Sequence, residues 1–272
     1  MSRYVSLLIL VSVLGTFSGK AVTGHRLNHI NQDYEDWMHS YQPPMPKFRT
    51  LGKPKYESTN HWVKAAQSTL KDRLAHKNIE GVAKNTIFFL GDGMSLPTVT
   101  ASRIFKGQLE GSHFGEEGTL FFETFPHVGV SKTFCSDSQV ADSACSATAY
   151  LSGTKANIAT IGVKPTVSFR DCKNMMNVSH QVESVLAWAQ AAGKSTGVIT
   201  TTRVTHASPA GTYAHIADRD WENDAVVKAS GADPEFCDDI AEQLVLHNPG
   251  RKINVILGGG RREFMPYNVP DP

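Results

Sequence analysis

The chain has 272 residues, of which 40% are hydrophobic and 19% charged, and its formal net charge at pH 7 is +1. This is enough apolar material for a sizeable core and excludes a low-complexity or fibrous polypeptide. So even a charge balance gives no electrostatic reason to expect nucleic acid as a partner.

The first residues, Met1-Ser2-Arg3, precede an apolar run from Val5 to Leu14 and a small-residue exit through Thr16, Phe17, Ser18 and Gly19. That order predicts a secretory signal peptide over residues 1–19, with an apolar run too short to span a membrane. Residues 20–54 mix Asn, Gln, Asp, His and Tyr with Pro43, Pro44 and Pro46, and read as an exposed arm. Residues 55–272 read as one globular domain without an internal linker.

From Thr59 to Leu74, Trp62, Val63, Ala66, Leu70 and Leu74 fall on one helical face. The β-rich apolar run Thr86 to Leu90 predicts a buried strand, ended by Gly91-Asp92-Gly93-Met94. Ser95 and Pro97 then start a helix that runs towards Lys106. Val140 to Thr148 predicts a turn entering a helix, with Ser143 at or near its N-terminus and Gly153 as its stop. Further on, Val182 to Ala192 and Ile240 to Leu246 read as helices, and Ser195 to Thr202 and Ile253 to Leu257 as strands. Strands alternating with helices predict an α/β fold with a largely parallel sheet.

Four positions can carry chemistry. At a helix N-terminus, Ser143 lies where free N–H groups and the helix dipole favour an anion, and it becomes a nucleophile if a metal or base helps remove its proton. The plainer reading is an ordinary cap supplied by Asp142 or Ser143. Asp92, at a predicted strand end between glycines, suits a hard metal ion or simply a turn. His206, among the hydroxyls of Thr205 and Ser208, suits a metal, a metal-bound water or general-base work, or else a loop. Arg219, between Asp218 and Asp220, presents a planar fork to a phosphate or carboxylate, or forms a surface ion pair. The four cysteines, Cys135, Cys145, Cys172 and Cys237, are an even set without a CxxC spacing, which favours disulfides over metal ligation in an exported chain. Asn177-Val178-Ser179 is a glycosylation acceptor in such a chain.

Taken together, these stretches resemble the animal-type alkaline phosphatases. The matching residues are Gly91 to Met94, Val140 to Thr148, Thr200 to His215, and Ile256 to Arg261, in that order along about residues 57 to 265. The resemblance implies a three-layer α/β/α fold, here incomplete at the C-terminus, and hydrolysis of small phosphate monoesters through a phosphoserine. It implies Ser143 as nucleophile, Asp142 orienting Arg219, and Arg219 gripping phosphate oxygens. It further implies Asp92 bridging zinc and magnesium, Ser208 ligating magnesium, and His206 one shell further out. The resemblance also suggests a Cys172–Cys237 disulfide, which would close a long loop and stabilise the fold by roughly 2–4 kcal/mol. A Cys135–Cys145 bridge bracing the nucleophile loop is also expected, although family members need not have it.

The family's other metal ligands lie in the second half of its fold, and no stretch after Arg261 resembles them. The chain therefore reads as the N-terminal part of a longer enzyme, inactive alone. The implied product is secreted or held on the outer face of the plasma membrane, homodimeric at full length, and membrane-attached only if a C-terminal lipid-anchor signal follows. The competing readings are a non-catalytic secreted or surface binding protein that keeps the fold, and a metal-free serine hydrolase using Ser143 and His206. Against the latter, the Gly-x-Ser-x-Gly elbow is missing around Ser143.

Overall fold

A computed structural model describes residues 59–111 and 115–266, so the expected signal peptide and arm lie outside the described residues. These residues form two compact units, one of 59–89, 96–111 and 115–129, the other of 90–95 and 130–266.

The first unit holds helices α1 (Thr59–Ala75) and α2 (Leu96–Leu109). The apolar face expected on α1 buries nothing: Trp62, Leu70 and Leu74 are all exposed. α2 buries Val99 and Gly107, and a Cβ at Gly107 would lie 2.3 Å from the Gly115 carbonyl, so backbone meets backbone there. Arg103 pairs with Glu123 at 2.8 Å, and Glu123 also accepts from the Leu120 N–H at 2.8 Å. The strand expected at Thr86 to Leu90 does not form, and Ile87 and Phe89 are exposed. An apolar run favours burial, but a strand also needs a neighbour to complete its ladder, and no described segment pairs with this one.

The second unit is α/β. Strands β1 (Gly197–Arg203) and β2 (Val255–Gly259) pair in parallel, with Gly197 opposite Val255 and Ile199 opposite Leu257, and an irregularity before Arg203 meets Gly259. Parallel neighbours need a long crossover, and here it carries α6 (Ala207–Ala210), α7 (Asp224–Ala229) and α8 (Ile240–Leu246). Before β1 come α3 (Ser143–Ser152), α4 (Cys172–Met175) and α5 (Val185–Ala191). Trp221, Ile161, Ile216, Ile240, Val163 and Met175 are fully buried and form the centre of the core.

Side-chain caps set the helix starts. Ser184 accepts from Ala187 N, Asn223 from Val226 N and Asp239 from Glu242 N, each contributing about 1 kcal/mol. Ser184 therefore places the start of α5 at Val185, three residues later than the apolar pattern suggested. The second unit also contains both expected disulfides, Cys135–Cys145 and Cys172–Cys237.

Candidate active site

The site is built on the first turn of α3. Asp142 caps the helix, its Oδ1 accepting from the Cys145 N–H at 3.1 Å, while Gly153 ends it with φ +75°. Ala144, Ala147 and Leu151 turn inward and Ser143 remains at the accessible edge. Two contacts fix the back of the helix. Thr148 Oγ1 accepts from the Gly162 N–H at 2.9 Å, and Gly211 lies so close that a Cβ there would meet Ala147 Cβ at 2.7 Å. The Cys135–Cys145 bridge ties the first turn to the segment before it.

Asp92 collects the hydroxyls. Ser143 Oγ donates to its Oδ1 at 3.0 Å, and Ser208 Oγ donates to its Oδ2 at 2.7 Å. The single hydroxyl proton of Ser208 is thus committed, and the Tyr150 side chain interacts with the same hydroxyl. Burial pushes the Tyr150 pKa well above the ordinary tyrosine value, so the phenol keeps its proton. Tyr150 lies seven positions after Ser143, two turns along the same helix face.

Arg219 Nη1 donates to Asp142 Oδ2 at 3.2 Å, and its backbone N–H donates to the Ala159 carbonyl at 2.8 Å. Ala159 itself adopts φ +63°, an uncommon conformation for a residue with a Cβ. The neighbouring Asp218 is fully buried and accepts from Arg170 Nε at 2.7 Å, which anchors the segment from below. Arg219 Nη2 also reaches His206 Nε2 at 3.3 Å. With the guanidinium donating, the neutral imidazole carries its proton on Nδ1. Burial and the charge of Arg219 hold the His206 pKa below the usual histidine value, consistent with that neutral form. The buried Nδ1 has no hydrogen-bond partner and lies 3.9 Å from Asp92 Oδ2.

The loop that presents His206 and Ser208 is held from one side by Glu222. Arg203 donates to both Glu222 oxygens, at 2.7 and 2.6 Å, and Thr205 Oγ1 donates to one of them at 2.5 Å. Burial alone would raise the Glu222 pKa; the Arg203 and Thr205 bonds outweigh it and hold the carboxyl below its usual range.

The structure thus brings together Asp92, Asp142, Ser143, His206, Ser208 and Arg219, which are scattered over 128 positions of sequence in four separate segments. Sequence reasoning missed Tyr150, Glu222 and Ala159. The seven-residue spacing from Ser143 pointed to Tyr150; nothing local pointed to the other two. Cys172–Cys237 sits apart, linking α4 to the residues that precede α8. Asn177 is exposed, and its Oδ1 accepts from both the N–H and the hydroxyl of Ser179.

The donor chemistry separates the two implied metals. Asp92 and Ser208 offer a close oxygen pair beside the unpartnered His206 Nδ1, a set that fits magnesium and its waters. Zinc needs at least three protein ligands in one place. Among the described residues, the groupings of three such donors are Cys135-Asp142-Cys145, whose sulfurs are bonded to each other, and Asp238-Glu242-His247. Neither contains Asp92, so the described residues do not fit zinc at this site.

Residues 83–272 match the protein family described as alkaline phosphatase. The chain belongs to the alkaline phosphatase family. It is 51% identical over 214 residues to the membrane-bound alkaline phosphatase of Bombyx mori, covering 77% of this chain and 39% of that one. It is 48% identical over 213 residues to the tissue-nonspecific alkaline phosphatase isozyme of Gallus gallus, covering 78% and 40%. A solved variant of TAB5 alkaline phosphatase with Mg bound is 28% identical, covers 58% of this chain and 37% of that one, and aligns with a TM-score of 0.40. The chain therefore spans about two fifths of the length of the curated alkaline phosphatases it matches.

Proposed function

We propose that this chain carries the nucleophile and the phosphate grip of an alkaline phosphatase that hydrolyses small phosphate monoesters through a phosphoserine at Ser143. The observation that supports this reading above the others is the placement of the Ser143 hydroxyl. It is bonded to Asp92, stands at the start of α3, and shares Asp142 with the guanidinium of Arg219. A dianionic phosphate entering there meets a nucleophile, a planar two-pronged donor and the positive end of a helix.

The chain's own residues account for binding and orientation. Arg219 receives two phosphate oxygens, with Asp142 fixing its plane. Ser143 Oγ attacks phosphorus in line with the ester oxygen, which leaves with the electron pair of the broken P–O bond. The Ser143 proton is drawn towards Asp92 Oδ1, its nearest acceptor. Water then attacks the phosphoserine, releasing inorganic phosphate and restoring the hydroxyl. Magnesium would be held by Asp92 and Ser208, with His206 touching its water, and when bound it supplies positive charge and an acidified water beside the serine. Zinc, as the resemblance implies, would require donors other than those described here.

Around this core the reading extends to an exported protein, secreted or on the outer face of the plasma membrane, glycosylated at Asn177 and dimeric at full length. Two disulfides, an exposed acceptor asparagine and a membrane-bound relative support export. Among the described residues, no helix is long and apolar enough to cross a membrane. Attachment by a C-terminal lipid anchor would depend on sequence after Pro272.

A second reading, a non-catalytic secreted or surface binding protein that keeps the fold, is favoured by one observation: Asp92 belongs to no three-donor group among the described residues. The two are separated by trapping the intermediate. Protein expressed from the natural transcript is quenched in acid during turnover of a phosphate ester, digested and mapped. Phosphoryl on the Ser143 peptide, absent from Ser143→Ala, is expected; phosphate binding with an unmodified peptide would favour the binding protein.

A further inference from the structure

Outside the Ser143 site, α8 carries a second cluster of metal-ligating side chains. Asp238 precedes the helix, Glu242 lies in its first turn and His247 ends it. One ligand atom from each lies within 4.8 Å of the other two. Asp238 Oδ2 and His247 Nε2 are 3.4 Å apart. That is longer than the roughly 2.7–2.9 Å of a charged N–H···O bond. It does match the edge of a tetrahedron whose ligands stand about 2.0–2.1 Å from a zinc ion, which is roughly 3.3–3.4 Å.

The surroundings are built rather than incidental. The Asp238 carbonyl accepts from Gln243 Nε2 at 3.0 Å, and Gln243 is itself buried and bonded to both the N–H and the carbonyl of His215. The His247 N–H donates to the Gln243 carbonyl at 3.3 Å, and its own carbonyl accepts from the Arg251 N–H at 2.9 Å. Beside Asp238 and His247 lies a polar cavity of about 80 Å³, into which His215, Gln181 and Asn248 also face. His215 is tied through Nδ1 to the Gly162 carbonyl at 2.7 Å and lines the cavity. Glu242 additionally lies in the field of Glu235 and Asp224, so the cluster carries excess negative charge.

We propose that Asp238, Glu242 and His247 form a binding site for a divalent cation of the zinc class, with water from the adjoining cavity completing its coordination. One imidazole and two carboxylates favour zinc or cobalt over magnesium, which prefers oxygen ligands in an octahedron. The fourth position opens towards the cavity, whose lining among the described residues offers no hydroxyl or thiol. The site is therefore structural: it joins the two ends of α8 and ties down the turn at Asn248.

The test uses the whole chain, freed of metal, in an Asp92→Asn background so that the Ser143 site does not contribute that carboxylate. Zn²⁺ is titrated calorimetrically, and Co²⁺ is followed by its visible absorption, which intensifies in four-coordinate sites. One equivalent should bind. His247→Gln should weaken binding by roughly tenfold or more, since loss of even an outer partner of a metal ligand costs about 10–100-fold. Asp238→Asn should weaken it similarly, and Mg²⁺ should not displace Co²⁺. His247 is about half exposed, so its replacement leaves the fold intact, which far-UV circular dichroism checks. Unchanged Zn²⁺ binding in folded His247→Gln or Asp238→Asn would overturn the proposal, as would no binding at all or stoichiometric displacement by Mg²⁺.

Discussion

Ser143 and Asp92, 51 positions apart, meet through a 3.0 Å hydrogen bond in which the serine hydroxyl donates to the carboxylate. The Ser143 oxygen, the nucleophile of the proposed reaction, is thus aimed by a residue from a different segment, whereas Arg219 is aimed by Asp142, the neighbour of Ser143. This division predicts different losses in the complete enzyme. Ser143→Ala removes the acceptor oxygen and should abolish phosphoserine formation with metal content unchanged. Arg219→Ala should mainly raise KM and weaken phosphate inhibition, by about one to two orders of magnitude, because a two-pronged charged contact contributes roughly 1.5–3 kcal/mol. Steady-state kinetics and acid quenching distinguish the two; equal and complete loss from both would contradict the assignment.

Residues 20–272 produced alone should not turn over a chromogenic phosphate ester, even with added zinc and magnesium. Asp92, Ser208 and His206 supply one oxygen pair and one imidazole, and no zinc set forms around them among the described residues. A serine hydroxyl without such help is a weak nucleophile at neutral pH. Turnover that is absent from Ser143→Ala would show that the ligand count is wrong.

Cys172 and Cys237 close a loop of 65 residues. Replacing both with serine should lower stability by about 2–4 kcal/mol through the larger entropy of the unfolded chain. Urea denaturation of the oxidised parent and the double variant measures the difference.

Gly162 occupies a place where a side chain does not fit. Its φ is +64°, and a Cβ would lie 2.0 Å from the Ala214 carbonyl oxygen, a backbone atom that cannot swing aside. Its own N–H and carbonyl serve Thr148 and His215. Gly162→Ala should therefore cost about 3 kcal/mol or more. It should also reduce any Ser143-dependent activity by shifting α3, measurable by thermal unfolding alongside turnover.

His215 gives the second unit an acid-side weakness. Burial holds its pKa below the ordinary value of about 6.5, while the Gly162 carbonyl partly offsets that. The folded form therefore binds this proton less readily than the unfolded one. The stability contributed by neutral His215 is complete above pH ~6.5 and is lost as pH falls through the folded value, by at most about 1.4 kcal/mol per pH unit. Asp239 works in the opposite sense: burial raises its pKa to about 6, and its contribution fades as pH rises towards that value. The useful measurement is thus the difference between parent and His215→Asn from pH 4 to 7.5, which should show a flatter acid limb in the variant.

How far the sequence alone reaches depends on the range of the interaction. The α8 bounds, Ile240 to Leu246, are legible because Asp239 caps the helix and an apolar period follows. The α3 start and its Gly153 stop are legible for the same reason, and β1 and β2 follow from compact β-rich runs. Thr86 to Leu90 has an equally good apolar run, yet a ladder depends on a partner that local composition does not specify. The face of α1 was readable but not its exposure, because burial needs a surface to meet. Within the site, the family motifs pointed to Ser143, Arg219 and Asp92, side chains linked in the fold directly or through Asp142 and His206. Glu222 gripping Arg203, the left-handed backbone of Ala159 and the approach of His247 to Asp238 are long-range or conformational, and no short stretch announces them.

Asp142 has two employments, one for each carboxylate oxygen: Oδ1 starts the helix and Oδ2 aims Arg219. Asparagine could keep the cap but would turn an amide towards a guanidinium. Serine or threonine could cap and would leave the arginine unaccompanied, and glutamate would carry its charge one methylene too far to cap. No single replacement retains both tasks, so mutational drift at this position has no gradual path. A lineage that changed Asp142 would need a compensating change at Arg219 or at the helix start at the same time, which makes the residue a natural marker for whether a homologous gene still encodes a working phosphate site.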